Sequence, residues 1–145
     1  MGRSINELDY AMQPRAKEAF AAMNKSEVLK SMGVEEVIIN EAKRSLAVQM
    51  AYYSRSRMAV ADVKRMYAAA GLYTPTDQEC KTANTWTLDS KHIQGKAIDF
   101  APMKGGRVWW SAPAEVWEAM GEIGEAAGLK WRGRWKNKDC PHFEM

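Results

Sequence analysis

Ser90-Lys91-His92-Ile93-Gln94-Gly95-Lys96-Ala97-Ile98-Asp99 is the stretch on which the reading of this chain turns. It holds one histidine and one carboxylate seven positions apart, with a glycine between them. On a single helix the two would be separated by roughly 10.5 Å of rise, too far to share an ion. A bend must bring them together, and Gly95 is a residue free to take a positive φ. Beyond it the chain alternates, with Ile98 and Phe100 on one face of a strand and Ala97, Asp99 and Ala101 on the other. Asp99 then projects opposite the apolar pair, between two small neighbours that leave room for an ion.

The chain has two histidines, and the second lies in the terminal run Lys138-Asp139-Cys140-Pro141-His142-Phe143-Glu144. A short strand here would bury Phe143 and aim His142 and Glu144 the other way. Pro141 suits an edge strand or the first residue of a strand. Two histidines and one carboxylate, with a water in the fourth position, form an open zinc site of hydrolytic type. His92, Asp99 and His142 are therefore the candidate ligands of one catalytic Zn2+. Cys140 is the weaker candidate, since Pro141 interrupts the strand between it and His142.

Ser-x-His-x-x-Gly-x-Ala-x-Asp followed by Asp-x-x-His-Phe-Glu resembles the zinc peptidases of the D-alanyl-D-alanine carboxypeptidase and VanY group. The Asp-x-Pro-His ending is most similar to the phage endolysin branch, which cuts the L-alanyl-D-glutamate bond of peptidoglycan stem peptides. The resemblance extends from about Arg44 to the C-terminus. It implies an α+β fold, a small central antiparallel sheet flanked by helices, of the hedgehog and D-Ala-D-Ala peptidase type. It implies Asp139 as the general base, where the carboxypeptidase branch carries glutamate. Glu144 is the runner-up base, or a partner that orients a histidine. Arg44-Ser45-Leu46-Ala47-Val48-Gln49 is similar to the family's Arg-Ser-x-x-x-Gln element, whose arginine faces the substrate. A guanidinium offers a fixed fork of donors to a carboxylate or a developing oxyanion. Arg44 is thus a candidate catalytic residue, and Ser90, Gln49 and Glu144 are candidate substrate contacts.

Length and composition agree with this reading. A chain of 145 residues, 46% hydrophobic and 27% charged, suits one soluble catalytic domain, with no separate wall-binding domain. The net charge of +3 and pI near 8.9 suit anionic cell-wall surfaces, and no basic stripe interleaved with aromatics argues for nucleic acid. No apolar run is long enough to span a bilayer, and the first residues lack a secretory core. The expectation is a monomer made in the cytoplasm that reaches the wall after release, through a holin-like pore as the resemblance implies. Cys80 and Cys140 are expected to be free thiols.

The rest of the chain supplies scaffold. Apolar spacing predicts a helix from near Gln13, a second helix capped by Ser26 and stopped by Gly33, and a strand over 34–40. Helical spacing from Ser45 to Gly71 reads as one helix with Arg55 and Arg57 on its wet face, and residues 72–89 as a long loop with a strand near Thr85 to Leu88. Met103 to Trp110 reads as a hairpin. Ser111 is expected to cap a helix from Pro113 whose stripe is Val116, Trp117, Met120, Ile123, Ala126 and Ala127, stopped by Gly128. Trp131 and Trp135 are expected to pack rather than line a cleft.

Overall fold

The computed structural model describes residues 3–85 and 90–145. In chain order the elements are α1 (Gln13–Lys25), α2 (Glu27–Ser31), β1 (Glu36–Glu41), α3 (Leu46–Ser54), α4 (Val60–Ala69), α5 (Asp77–Lys81), β2 (Ala97–Lys104), β3 (Arg107–Val108), α6 (Ala114–Ala126), β4 (Lys130–Trp131) and β5 (His142–Glu144). The α+β class and the small antiparallel sheet are as expected, while the described residues form six helices where the sequence suggests four. The chain divides into two compact units, Met1–Lys43 with Gln94–Met145, and Arg44–Ile93.

The first unit carries the sheet, in the order β1-β2-β5-β4, with β3 returning on the end of β2. Every pairing is antiparallel. Strand β2 is its axis, and Ile98, Phe100 and Ala101 on it are completely buried. Helix α1 lies against the sheet, with Phe20 stacked on Phe100 at 5.9 Å between ring centroids. Asn24, near the end of α1, accepts from the Val37 N–H at 2.9 Å and donates to the Val37 carbonyl at 3.1 Å. One amide side chain thereby satisfies both polar groups of a residue on the edge strand, which would otherwise be open to pairing.

Helix α6 comes closest to the sheet through two glycines. A Cβ on Gly121 would fall 2.3 Å from the Trp131 ring, and one on Gly124 would fall 2.3 Å from the Phe143 ring. The buried face of α6 is therefore Val116, Trp117, Met120, Gly121 and Gly124. Ala126, expected in the stripe, is exposed. Pro113 occupies the cap position and no side-chain cap bond is made, so Ser111 does not cap α6. The hairpin turns on Gly105 and Gly106, both at positive φ (63° and 73°), the backbone of a tight two-residue connection. It is shorter than expected, since Trp109 and Trp110 lie beyond β3. Trp131 is buried, and its indole N–H donates to the Cys140 carbonyl at 2.8 Å. Trp135 is 40% exposed.

The second unit has its own small core of Ala51, Val63, Tyr67 and Cys80. The single helix expected from Ser45 to Gly71 is two, α3 and α4. Ser54 turns its hydroxyl onto the Ala51 carbonyl at 2.6 Å, a local bond that competes with helix continuation. Ser56 then takes a positive φ of 65° while its N–H donates to the Cys80 carbonyl at 2.8 Å. Arg55, expected on a wet face, instead donates to the carbonyls of Glu79 and Thr82 at 2.8 and 3.0 Å. The loop expected over 72–89 contains α5, opened by a capping box in which Thr76 and Glu79 each bond the other's backbone N–H. The strand expected near Thr85 to Leu88 falls largely outside the described residues. Both cysteines are free thiols.

Candidate metal centre

The bend expected at Gly95 is present. Its φ is +71°, and its carbonyl accepts from the Asp9 N–H at 3.0 Å. A Cβ there would stand 2.9 Å from that same nitrogen, so both the backbone conformation and the close approach call for glycine. Two residues later β2 begins, and Asp99 is paired with His142 on β5 and with Glu41 on β1. The neighbours Ile98 and Phe100 enter the core, which leaves Asp99 on the opposite face.

On that face the carboxylate and the imidazole meet. Asp99 Oδ1 lies 3.4 Å from His142 Nδ1, and Glu144 Oε1 lies 2.8 Å from His142 Nε2. His142 and Glu144 sit on an interior strand, 4% and 7% exposed, while Phe143 between them is completely buried on the other side. The period-2 reading of the terminal run therefore holds, with Pro141 just ahead of β5. Burial by itself would lower the proton affinity of the His142 imidazole. The carboxylates of Asp99, Glu144 and Asp139 outweigh it and hold its pKa above the usual histidine value. The same concentration of negative potential favours a bound cation.

His92, Asp99 and His142 each offer one ligand atom, and these atoms all lie within 4.8 Å of one another. For tetrahedral zinc with bonds of about 2.0–2.2 Å the donor atoms stand roughly 3.3–3.6 Å apart. The 3.4 Å between Asp99 and His142 already matches that edge. Two imidazoles and one carboxylate suit zinc chemically, so the donor set fits the metal. His92 is 3% exposed. Its carbonyl accepts from the Arg44 N–H at 3.0 Å, and its own N–H is bonded to Ser90 Oγ at 3.2 Å. Ser90 thus uses its hydroxyl to fix the turn that presents His92.

The Arg44 element has a different geometry from the one the sequence suggests. Gln49 is completely buried. Its Oε1 accepts from Arg44 Nη1 at 2.6 Å and its Nε2 donates to Thr85 Oγ1 at 3.1 Å. The Arg44 guanidinium also lies over the Tyr52 ring at 4.9 Å. Gln49 therefore holds the arginine rather than offering itself outward. Tyr52 and Thr85 belong to this support and carry no such signal in the sequence, the first reading as core and the second as the start of a short strand within a loop. Asp139 is exposed, and its backbone carbonyl accepts from the His142 N–H at 3.0 Å, which ties the proposed base to the ligand three residues on. Cys140 packs against the apolar core and is not among the clustered ligands; burial, with Asp139 nearby, pushes its thiol pKa up.

Residues 83–145 match the family model described as D-alanyl-D-alanine carboxypeptidase. No curated protein matches the chain. Among solved structures the chain is similar to the L-Ala D-Glu endopeptidase ChiX of Serratia marcescens, with a TM-score of 0.57 and 21% identity over 97% of this chain and 82% of that one. It is also similar to VanYB in complex with D-alanine-D-alanine, with a TM-score of 0.52 and 18% identity over 95% and 71% of the two chains. A single-residue variant of the vancomycin-resistance D,D-pentapeptidase VanY in complex with Zn(II) matches with a TM-score of 0.51 and 16% identity, over 95% and 72%.

Proposed function

We propose that this chain is a zinc peptidase of the D-alanyl-D-alanine carboxypeptidase family that acts on peptidoglycan, and within it an endopeptidase of the endolysin type that hydrolyses the L-alanyl-D-glutamate bond of stem peptides; the family-model match over residues 83–145 and the likeness in fold to peptidases of this kind support the reading. The observation that carries this reading is the convergence of His92, Asp99 and His142, with Asp139 three residues before the last of them. The Asp-x-Pro-His ending and the likeness to an L-Ala D-Glu endopeptidase support this bond over a terminal D-alanine.

One bound zinc ion would supply a Lewis acid for the scissile carbonyl and lower the pKa of a water. The chain's own residues do the rest. Glu144 accepts from His142 Nε2–H, which leaves the Nδ1 lone pair facing Asp99, where the cation belongs. Asp139 takes the proton from the attacking water and returns it to the leaving amine. Its side chain is short, so the His142 N–H to Asp139 carbonyl bond matters, because it holds that carboxylate close to the ligand strand. Arg44, held by Gln49 and stacked on Tyr52, has its guanidinium fixed in orientation, and its positive charge would act on the developing oxyanion or on a substrate carboxylate.

The test is digestion of purified peptidoglycan by zinc-loaded protein, with the new termini identified by mass spectrometry. New L-alanine carboxyl ends and D-glutamate amino ends are expected. Release of D-alanine alone would replace this reading with that of a D,D-carboxypeptidase. Asp139→Ala should keep its zinc and lose activity by about 10²- to 10⁴-fold. Undiminished turnover in that variant would move the base elsewhere.

A further inference from the structure

Between α6 and the terminal strand the chain carries a cation at every second position: Lys130, Arg132, Arg134, Lys136 and Lys138. Most of these are accounted for. Arg134 grips Glu125 with two bonds, at 2.7 and 2.8 Å, and the three lysines are exposed. Arg132 is different. Its Nε is fully buried and meets no hydrogen-bond acceptor among the described residues. Its guanidinium lies 4.9 Å from the centre of the Trp135 ring, a stack that fixes the plane of the fork while satisfying none of its donors. A buried donor left open in a folded protein calls for an explanation, because desolvating it costs more than an ordinary hydrogen bond returns.

The sheet register says which way this arginine faces. Strand β4 pairs Lys130 with Glu144 and Trp131 with Phe143. Trp131 and Phe143 are both buried in the core. Arg132 directly follows β4, as the first residue of the short 3₁₀ turn, and the residue that precedes Phe143 on β5 is His142. Continued one residue beyond the strand, the alternation directs Arg132 to the face that carries His142 and Glu144. Trp131 is still extended, with ψ 122°, so the alternation persists through the start of the short 3₁₀ turn over Arg132–Arg134. An arginine with an open donor thus stands one strand away from His142, on the same face.

We propose that Arg132 is a specificity-determining residue that binds a substrate carboxylate, the α-carboxylate that D-glutamate keeps when the stem peptide continues through its γ-carboxyl. This inference rests on the endopeptidase reading above. The α-carboxylate is one carbon from the carbon bearing the scissile nitrogen, so it must lie within a side chain's reach of the strand that holds His142. Stacked on Trp135, the fork is pre-organised, and the carboxylate supplies the acceptor that the protein does not.

The experiment compares two peptides, N-acetyl-L-alanyl-γ-D-glutamyl-L-lysine and its D-isoglutamine twin, in which the α-carboxylate is an amide. Hydrolysis and calorimetric binding are measured for the zinc-loaded wild type, Arg132→Met and Arg132→Lys, with zinc content and thermal midpoint checked for each. The wild type should prefer the carboxylate peptide. Arg132→Met should lose about 10- to 100-fold in affinity and kcat/KM for it, with the amide peptide little changed. Arg132→Lys, which keeps the charge without the fork, should recover part of the preference. Equal losses on both peptides, or no loss, would overturn the assignment. Selective binding loss without cleavage by the wild type would refute the endopeptidase reading alone, and robust cleavage with unchanged selectivity would refute the Arg132 assignment alone. A peptide ending in D-alanyl-D-alanine serves as the third arm, and a loss confined to it would assign Arg132 to a terminal carboxylate and sink the D-glutamate assignment.

Discussion

Gly124→Ala should destabilise this protein although it replaces a glycine in the last turn of α6 with the best helix former. Intrinsic propensity favours the change by up to about 1 kcal/mol. The new Cβ would lie 2.3, 2.6 and 3.2 Å from three carbons of the Phe143 ring, where a comfortable carbon contact is about 3.5–4.0 Å. Phe143 is completely buried and already in edge contact with Phe100 at 5.5 Å, so the ring has nowhere to retreat without moving β5. Overpacking of this kind costs about 1–3 kcal/mol. The clash exceeds an ångström and bears on an interior strand, which puts the cost at the upper end of that range. A net loss of about 1–2 kcal/mol follows, or a fall of about 2–8 °C in thermal midpoint for a chain of this size. Because His142 and Glu144 flank Phe143 on β5, the shift should also loosen zinc. Calorimetry with and without chelator would separate the two effects, the chelated protein reporting packing and the difference reporting metal. A midpoint that stays or rises in chelator, with zinc affinity intact, would refute the argument that the glycine exists to let α6 approach the sheet.

Three further outcomes are expected. Glu144→Ala should weaken zinc about 10- to 100-fold by freeing the His142 ring, read by competition with a chromophoric chelator, while Glu144→Gln should lose less because its carbonyl can still accept from Nε2–H. Gln49→Leu should lower kcat/KM much as Arg44→Ala does, and the double variant should be little worse than either, since one side chain acts through the other; additive losses would show two independent roles. The hydrogen bonds from Arg134 hold the Glu125 carboxyl below its ordinary pKa of 4.5. That contribution is present above the unfolded value and is lost as pH falls through the lowered folded value. The pair is partly exposed, so Glu125→Gln should cost less than about 1 kcal/mol at neutral pH. The variant and wild-type stabilities should then converge in acid, and a constant difference down to pH 2 would contradict the assignment.

Local sequence signals match the structure where the conformation is set locally. The Gly95 bend, the alternation of Ile98, Asp99 and Phe100, the alternation around Phe143, the Ser26 cap and the stops at Gly33 and Gly128 each depend on a few neighbouring residues. Helix α5 has an equally local signature in Thr76-x-x-Glu79, a capping box, but its five residues stand among turn formers that mask it. The break between α3 and α4 was not legible in periodicity. Apolar spacing continues through Arg55 to Ala59, and the break is held by contacts to Cys80, Glu79 and Thr82, more than twenty residues away.

The sequence by itself determined which residues are candidate ligands, the faces to which Asp99 and His142 point from their strands, and the family resemblance, because these follow from residue chemistry, a period of two and short motifs. Only the tertiary structure decided what surrounds them. Strand pairing set Asp99 across from His142 and made β5 an interior strand, and long-range packing buried Gln49 behind Arg44 and brought two glycines of α6 against Trp131 and Phe143. Those contacts join residues far apart in the chain, and no local pattern encodes which distant side chain will fill a given space.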